Sequence, residues 1–142
     1  MKRYRLAALV LLVISLAACA PARPAGPLVD YRRSGGLAGS DDHLVIEAGG
    51  RAILTRHQAR HEFAVEPETL NRLTTLFDQA QFTALRGEYL PASNCCDLFD
   101  YVLTYQGHTV HTMDGAVPEA LAPVLQALGE IITRSSPTPA SG

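Results

Sequence analysis

Residues 99–113 read FDYVLTYQGHTVHTM. Phe99, Tyr101, Leu103 and Tyr105 fall on alternate positions, the two-residue period of a strand with one buried face. Gln106-Gly107 then reads as a two-residue turn, and Thr109 to Met113 returns as the partner strand. Helical spacing flanks this hairpin on both sides. Upstream, Pro67 stands at a first helical position and Leu70, Leu73, Phe77 and Ala80 recur three and four residues apart. Downstream, Pro118 opens a second such segment carrying Leu121, Leu125, Leu128 and Ile132 on one face. Further towards the N-terminus Leu44, Ile46 and Ala48 alternate, Gly49-Gly50 reads as a two-residue hairpin turn into a strand around Ile53, and His61 to Glu66 reads as another strand. This order predicts an α+β domain: an antiparallel sheet of about five or six strands with two helices packed on one face.

The chain outside that domain reads differently. Lys2, Arg3 and Arg5 precede an uncharged apolar run from Leu6 to Leu16, followed by Ala17, Ala18 and Cys19. A basic start, a short apolar core and small residues are the pattern of a secretory signal. The run is shorter than the roughly 20 residues that span a bilayer. Leu16-Ala17-Ala18-Cys19 resembles the lipobox of bacterial lipoproteins. That resemblance implies cleavage before Cys19, a diacylglycerol on its thiol and acylation of the new amino group. One acyl chain holds a protein only marginally, at about 0.8 kcal/mol per buried methylene, whereas two or three anchor it stably. The alternative is an ordinary cleaved signal with a coincidental cysteine. Ala20 stands where an aspartate would imply inner-membrane retention, so the resemblance favours outer-membrane delivery in a two-membrane bacterium.

The expected organisation is therefore a signal over 1–18, a lipidated Cys19 with a Pro/Ala tether (APARPAGP, Ala20 to Pro27) over 19–27, one domain over 28–134, and a disordered tail, SSPTPASG, over 135–142. The domain is expected at the cell membrane or outer membrane, facing the periplasm or exterior. Beyond residue 18 nine basic residues, all arginine, face fourteen acidic ones, a formal charge of −5. A mildly acidic domain argues against nucleic acid as a partner, since that needs a basic face.

Chemistry-bearing motifs are few. Cys95-Cys96 leaves three readings open: a structural or incidental pair, a vicinal disulfide, or a metal or redox site. In an exported chain with Cys19 lipidated, these two thiols have only each other. His57 and His61 have helix-face ligand spacing but sit between strands, and His108 and His111 on one strand point to opposite faces. Surface histidine is the expectation, with no metal and no cofactor. Asp97, Asp100 and Asp114 would make an acid–base site only by converging on a pocket, and Asp114-Gly115 reads as turn chemistry. No nucleophile elbow or phosphate-cradling loop occurs, so no catalytic residue is assigned and the chain is expected not to be an enzyme.

Ser34-Gly35-Gly36-Leu37-Ala38-Gly39 is too glycine-rich for a strand interior. It reads either as a plain connection between the first two strands or as a tight exposed loop that presents Leu37 to a partner. With Tyr31-Arg32-Arg33 before it, this segment resembles the N-terminal strand and Ser-Gly-Gly-Phe-Ala-Gly loop of the emfourins, small bacterial inhibitors of thermolysin-like zinc metalloproteases. The similarity runs through Ala80-Gln81-Phe82 and Asp100-Tyr101 and covers most of residues 31–132. The chain departs in carrying Leu37 where that motif has phenylalanine, and in a longer region from Asp42 to Glu66. It also resembles uncharacterised bacterial lipoproteins with a Glu-Tyr-Leu-Pro segment (Glu88 to Pro91) and an Asp-Gly-x-x-Pro turn (Asp114 to Pro118). The resemblance implies an envelope or secreted metalloprotease as partner, Leu37 in its apolar pocket, and the backbone of Gly35 and Gly36 against its cleft. The first reading remains an envelope lipoprotein with a non-catalytic binding or structural domain. A protruding Leu37 on an ordered loop favours inhibition, and an enclosed pocket lined by Tyr101, Tyr105 and Met113 favours a small ligand.

Overall fold

The computed structural model describes residues 26–93 and 97–135. Seven strands form one sheet: β1 (Val29–Gly35), β2 (Ser40–Ile46), β3 (Arg51–Arg56), β4 (Ala59–Ala64), β5 (Glu88–Tyr89), β6 (Phe99–Tyr105) and β7 (His108–Met113). Two α-helices, α1 (Pro67–Gln79) and α2 (Ala122–Ser135), complete the α+β fold, with short 3-10 turns at Phe82–Ala84 and Glu119–Leu121. The sheet order is β4-β3-β2-β1-β6-β7-β5. Every neighbouring pair is antiparallel except β5 with β7, which is parallel.

Alternation decides which face is buried. Val29 and Tyr31 of β1 lie level with Ile46 and Leu44 of β2, and Tyr31 with Leu103 of β6. These side chains, with Ala52, Leu54, Tyr105 and Val110, join Leu73 and Phe77 of α1 and Val124, Leu128, Ile131 and Ile132 of α2 in one buried cluster. The opposite face carries Asp30, His43, Val45, Ile53, Val102 and His111, all half-buried. Both helices therefore cover the same face. Phe77 stacks on Tyr105 with ring centroids 4.0 Å apart, and Phe82 meets Phe77 edge-on at 5.1 Å. Each such contact contributes about 0.5–1.5 kcal/mol beyond burial.

The helix limits follow their sequence. Pro67 fills the first turn of α1, where its missing N–H costs nothing. The chain leaves at Ala80, and Gln81 turns it with φ +48°. The turns differ in one detail from expectation. Gln106-Gly107 is a two-residue turn, with φ +50° and +80°. The β2–β3 turn, however, takes three residues: Glu47 N–H bonds Arg51 across it, Gly50 N–H donates to the Glu47 carbonyl, and Gly50 has φ +86°. Ala48 thus belongs to the loop rather than to the strand. A third hairpin, His57-Gln58, has φ +45° and +72°.

Candidate functional site: the glycine hairpin and its platform

The β1–β2 hairpin closes through Gly36 to Gly39, with Gly39 N–H donating to the Gly36 carbonyl at 2.9 Å. Gly35, Gly36 and Gly39 all have positive φ, between +61° and +93°, which side-chain-bearing residues adopt at a cost. Leu37 stands at the tip, 92% exposed.

The loop is braced from below. Gly36 N–H donates to the Leu98 carbonyl at 3.3 Å. A Cβ on Gly35 would overlap that same carbonyl oxygen, and one on Gly36 would lie 2.6 Å from the Phe99 ring. The glycines are therefore required by the chain's own packing. Gly35 and Gly36 press against Leu98 and Phe99, which is a different reason for glycine from the approach to a partner's cleft that the family resemblance implies.

Phe99 is held in turn. Its N–H donates to Asp114 Oδ2 at 3.0 Å, and the Arg33 guanidinium lies 5.3 Å from its ring centroid. Tyr101, two residues on and facing the same side, donates its phenol to Asp114 Oδ1 at 2.9 Å and stacks on Tyr31 at 6.5 Å. Burial and then the hydrogen bond to Asp114 push the Tyr101 phenol well above its ordinary range. Tyr31 is pushed up to about 12, chiefly by burial.

Beside this aromatic row lies Asp42, 1% exposed. Arg33 Nη2 and Arg56 Nε each donate to it at 2.5 Å, on different carboxylate oxygens. Burial alone would raise this carboxyl, but the hydrogen bonds from Arg56 and Arg33 outweigh it and hold it below the ordinary carboxylate value. Register makes the cluster possible. Arg33, Asp42 and Arg56 are cross-strand neighbours on β1, β2 and β3, on the helix-side face but at the loop end of the sheet.

The remaining candidates lie apart. Asp100 faces the open side and bonds His111 Nε2 at 2.8 Å, so it does not converge with Asp114, and Asp97 is exposed in the segment before β6. Asp114, expected as a turn residue, also anchors Phe99 and Tyr101 through its carboxylate. His57 occupies a hairpin turn, and His61 stacks on Phe63 at 5.7 Å. His108 bonds the Leu85 carbonyl at 2.9 Å on the face opposite His111. Among the described residues no group of three or more His, Cys, Asp or Glu is placed to hold a metal ion. Tyr101, Tyr105 and Met113 line no common pocket: Tyr105 is packed between Phe77 and Phe82, and Met113 points to the opposite face. A groove of about 460 Å³ instead lies at the β4 edge, bounded by Phe63, Val65, Leu73, Ala127 and Ile131. Cys19, Cys95 and Cys96 lie outside the described residues. No helix among the described residues is long and apolar enough to cross a membrane.

The arrangement presents one apolar side chain on a backbone fixed by hydrogen bonds, an ion cluster and an aromatic row. The platform under the loop was not foreseen from the sequence. Arg33, Asp42 and Arg56 are far apart in the chain, and only strand register unites them. No model of a known protein family matches the chain, and a search of curated proteins finds no match either.

Proposed function

We propose that this chain is a lipid-anchored protein of the bacterial cell envelope whose domain binds a protein partner through the Gly36–Gly39 loop. The observation that carries this reading is Leu37, 92% exposed on a hairpin braced against Leu98, Phe99 and the Arg33–Asp42–Arg56 cluster. An apolar side chain held out on a pre-ordered loop is costly in water and useful in a partner's pocket. Its ordering entropy is already met before binding, which favours affinity. Lipid on Cys19 supplies the attachment, and the sequence from Ala20 to Pro27 supplies the spacer.

A more specific reading is favoured by the same loop. Its Ser-Gly-Gly-Leu-Ala-Gly sequence resembles the emfourin motif, and its exposed fourth residue is the one that resemblance assigns to a metalloprotease pocket. On this reading the partner is an envelope or secreted thermolysin-type enzyme. The full chain, purified in mild detergent, is assayed against thermolysin-type proteases together with Leu37→Phe and Leu37→Ser. Inhibition that Leu37→Ser abolishes supports the inhibitor. No inhibition at micromolar concentration, by the parent or by Leu37→Phe, removes it and leaves the broader binding role. The anchor is tested separately. Intact-mass analysis of the parent should show a chain that begins at Cys19 and carries the lipid, and Cys19→Ala should lose both the lipid and that cleavage.

A further inference from the structure

Among the described residues the sheet ends on one side at β4, with no strand on its outer edge. β3 and β4 are joined by the two-residue turn His57-Gln58, so Arg56 and Ala59 form the closing pair, and Val65 N–H reaches back to the Gly50 carbonyl at 2.8 Å. Bonding direction alternates along an antiparallel strand. Ala59, His61 and Phe63 therefore bond inward to β3, while Arg60, Glu62 and Ala64 turn their backbone N–H and C=O groups outward. Among the described residues, no backbone hydrogen bond meets those outward groups. The opposite edge is closed differently, by the two residues of β5. Edges of this kind are templates for another strand, and proteins usually shorten, bulge or cover them. β4 has six residues, pairs with β3 in unbroken register and contains no proline.

The groove described above runs along this edge. His61 and Phe63 of β4 form one wall, with Leu73 of α1 and Ile131 of α2 on the other. A strand added to β4 would send alternate side chains into it.

We propose that the occupant is a second copy of this chain, paired β4 to β4 about a two-fold axis at His61. Three observations select it. The flanking sequences of the chain itself are rich in proline, which has no N–H to pair, with Pro21, Pro24 and Pro27 before β1 and Pro137 and Pro139 after α2. The edge is self-complementary in charge, with Glu62 held in place by two hydrogen bonds from Arg51 of its own chain at 2.7 and 3.0 Å. Centred on His61, an antiparallel pairing sets Arg60 opposite the partner's Glu62 and Glu62 opposite the partner's Arg60, and all four residues are outward-bonding. Moving the centre to Glu62 would set two glutamates against each other, which is unfavourable. Charge thus selects one register among those the backbone allows. Third, that register places Phe63 across from the partner's Ala59, whose small side chain leaves the ring its place in the groove. The two-fold axis is perpendicular to the sheet, so both pairs of helices lie on the same side and the two grooves merge. This surface is separate from the Leu37 loop and does not rest on the role given to it.

The test uses the full chain in mild detergent. In sedimentation the parent should form a concentration-dependent dimer. Arg60→Glu and Glu62→Arg should each sediment as monomers with unchanged circular dichroism, and an equimolar mixture of the two should return to dimer, because the reversed charges then face each other. His61→Cys should form an interchain disulfide on mild oxidation, well above both the parent and His43→Cys, since residues facing each other across the two-fold are about 4.5 Å apart at Cα, within disulfide reach. A parent that stays monomeric to hundreds of micromolar overturns the proposal, whether its β4 amides exchange freely or are protected by its own tail. So does a dimer that His61→Cys fails to cross-link, or one that survives both charge reversals.

Discussion

Gly36 lies against the ring of Phe99 so closely that a Cβ on it would stand 2.6 Å from Cζ, while its backbone holds φ +70°. Gly36→Ala therefore meets two penalties: a left-handed backbone costing about 1–2 kcal/mol and a displaced aromatic ring beneath the loop. Urea unfolding should show a loss of at least about 2 kcal/mol. Gly39 has a similar φ of +61° but open space around it, so Gly39→Ala should lose only about 1 kcal/mol. Equal losses at the two positions would mean that the Phe99 contact contributes nothing.

Leu37 offers the opposite combination, exposure without packing. Leu37→Ser should change unfolding free energy by less than about 0.5 kcal/mol, while weakening partner binding by tenfold or more in titration against whatever partner is captured. A stability loss without a binding loss would reverse the role assigned to this side chain.

Asp42 is buried between two arginines, and its removal leaves them facing one another. Asp42→Ala should lose roughly 3 kcal/mol, the lower end for a broken buried pair, because both guanidinium groups still reach water. Its folded carboxyl sits below the ordinary value of 3.8. The stabilisation is therefore complete above about pH 3.8 and disappears as pH falls through the lower folded value. Chemical unfolding between pH 6 and pH 2 should show a steeper acid loss in the parent than in Asp42→Asn.

Tyr31 and Tyr101 set the alkaline side. Both phenols are raised above the ordinary 10.0 in the folded chain, Tyr31 to about 12. A raised acid is more readily ionised in the unfolded state, so the stabilisation holds below pH 10 and is lost as pH rises beyond it. Absorbance at 295 nm should show part of the tyrosine titrating only together with loss of the near-ultraviolet circular dichroism. Tyr101→Phe should remove part of that coupling and, by deleting the bond to Asp114, lose about 1.5 kcal/mol at neutral pH.

Much of the fold was readable because it rests on local period. The β6–β7 hairpin and both helices follow from apolar spacing, and Gly107 announces its turn, whereas β4, expected over His61 to Glu66, runs Ala59–Ala64 because the His57-Gln58 turn and pairing with β3 set its limits. What escaped has a common physical cause. His57-Gln58 adopts the same positive-φ turn without asparagine or glycine, so no residue type marks it. Glu88–Tyr89 is a strand of two residues, too short for any period, and it is defined by pairing with β7. The Arg33–Asp42–Arg56 cluster depends on the register of three strands, a tertiary fact. At the candidate site the glycines and Leu37 were legible as a loop, but the reason for the glycines was not. Leu98 and Phe99, which demand them, are more than 60 residues away in sequence.

The seven residues of β1 run without interruption from Val29, next to the N-terminal segment, to Gly35 at the hairpin. A strand of that length covers about 20 Å, so the two ends of the domain are assigned by a single rigid rod. If Cys19 is held at a lipid surface, the ten residues from Cys19 to Leu28 can reach at most about 35 Å, and β1 adds its own length beyond them. The hairpin then stands one strand length beyond the point where that stretch joins the domain, and shortening the stretch would lower how far from the surface the loop can reach without altering what it can hold.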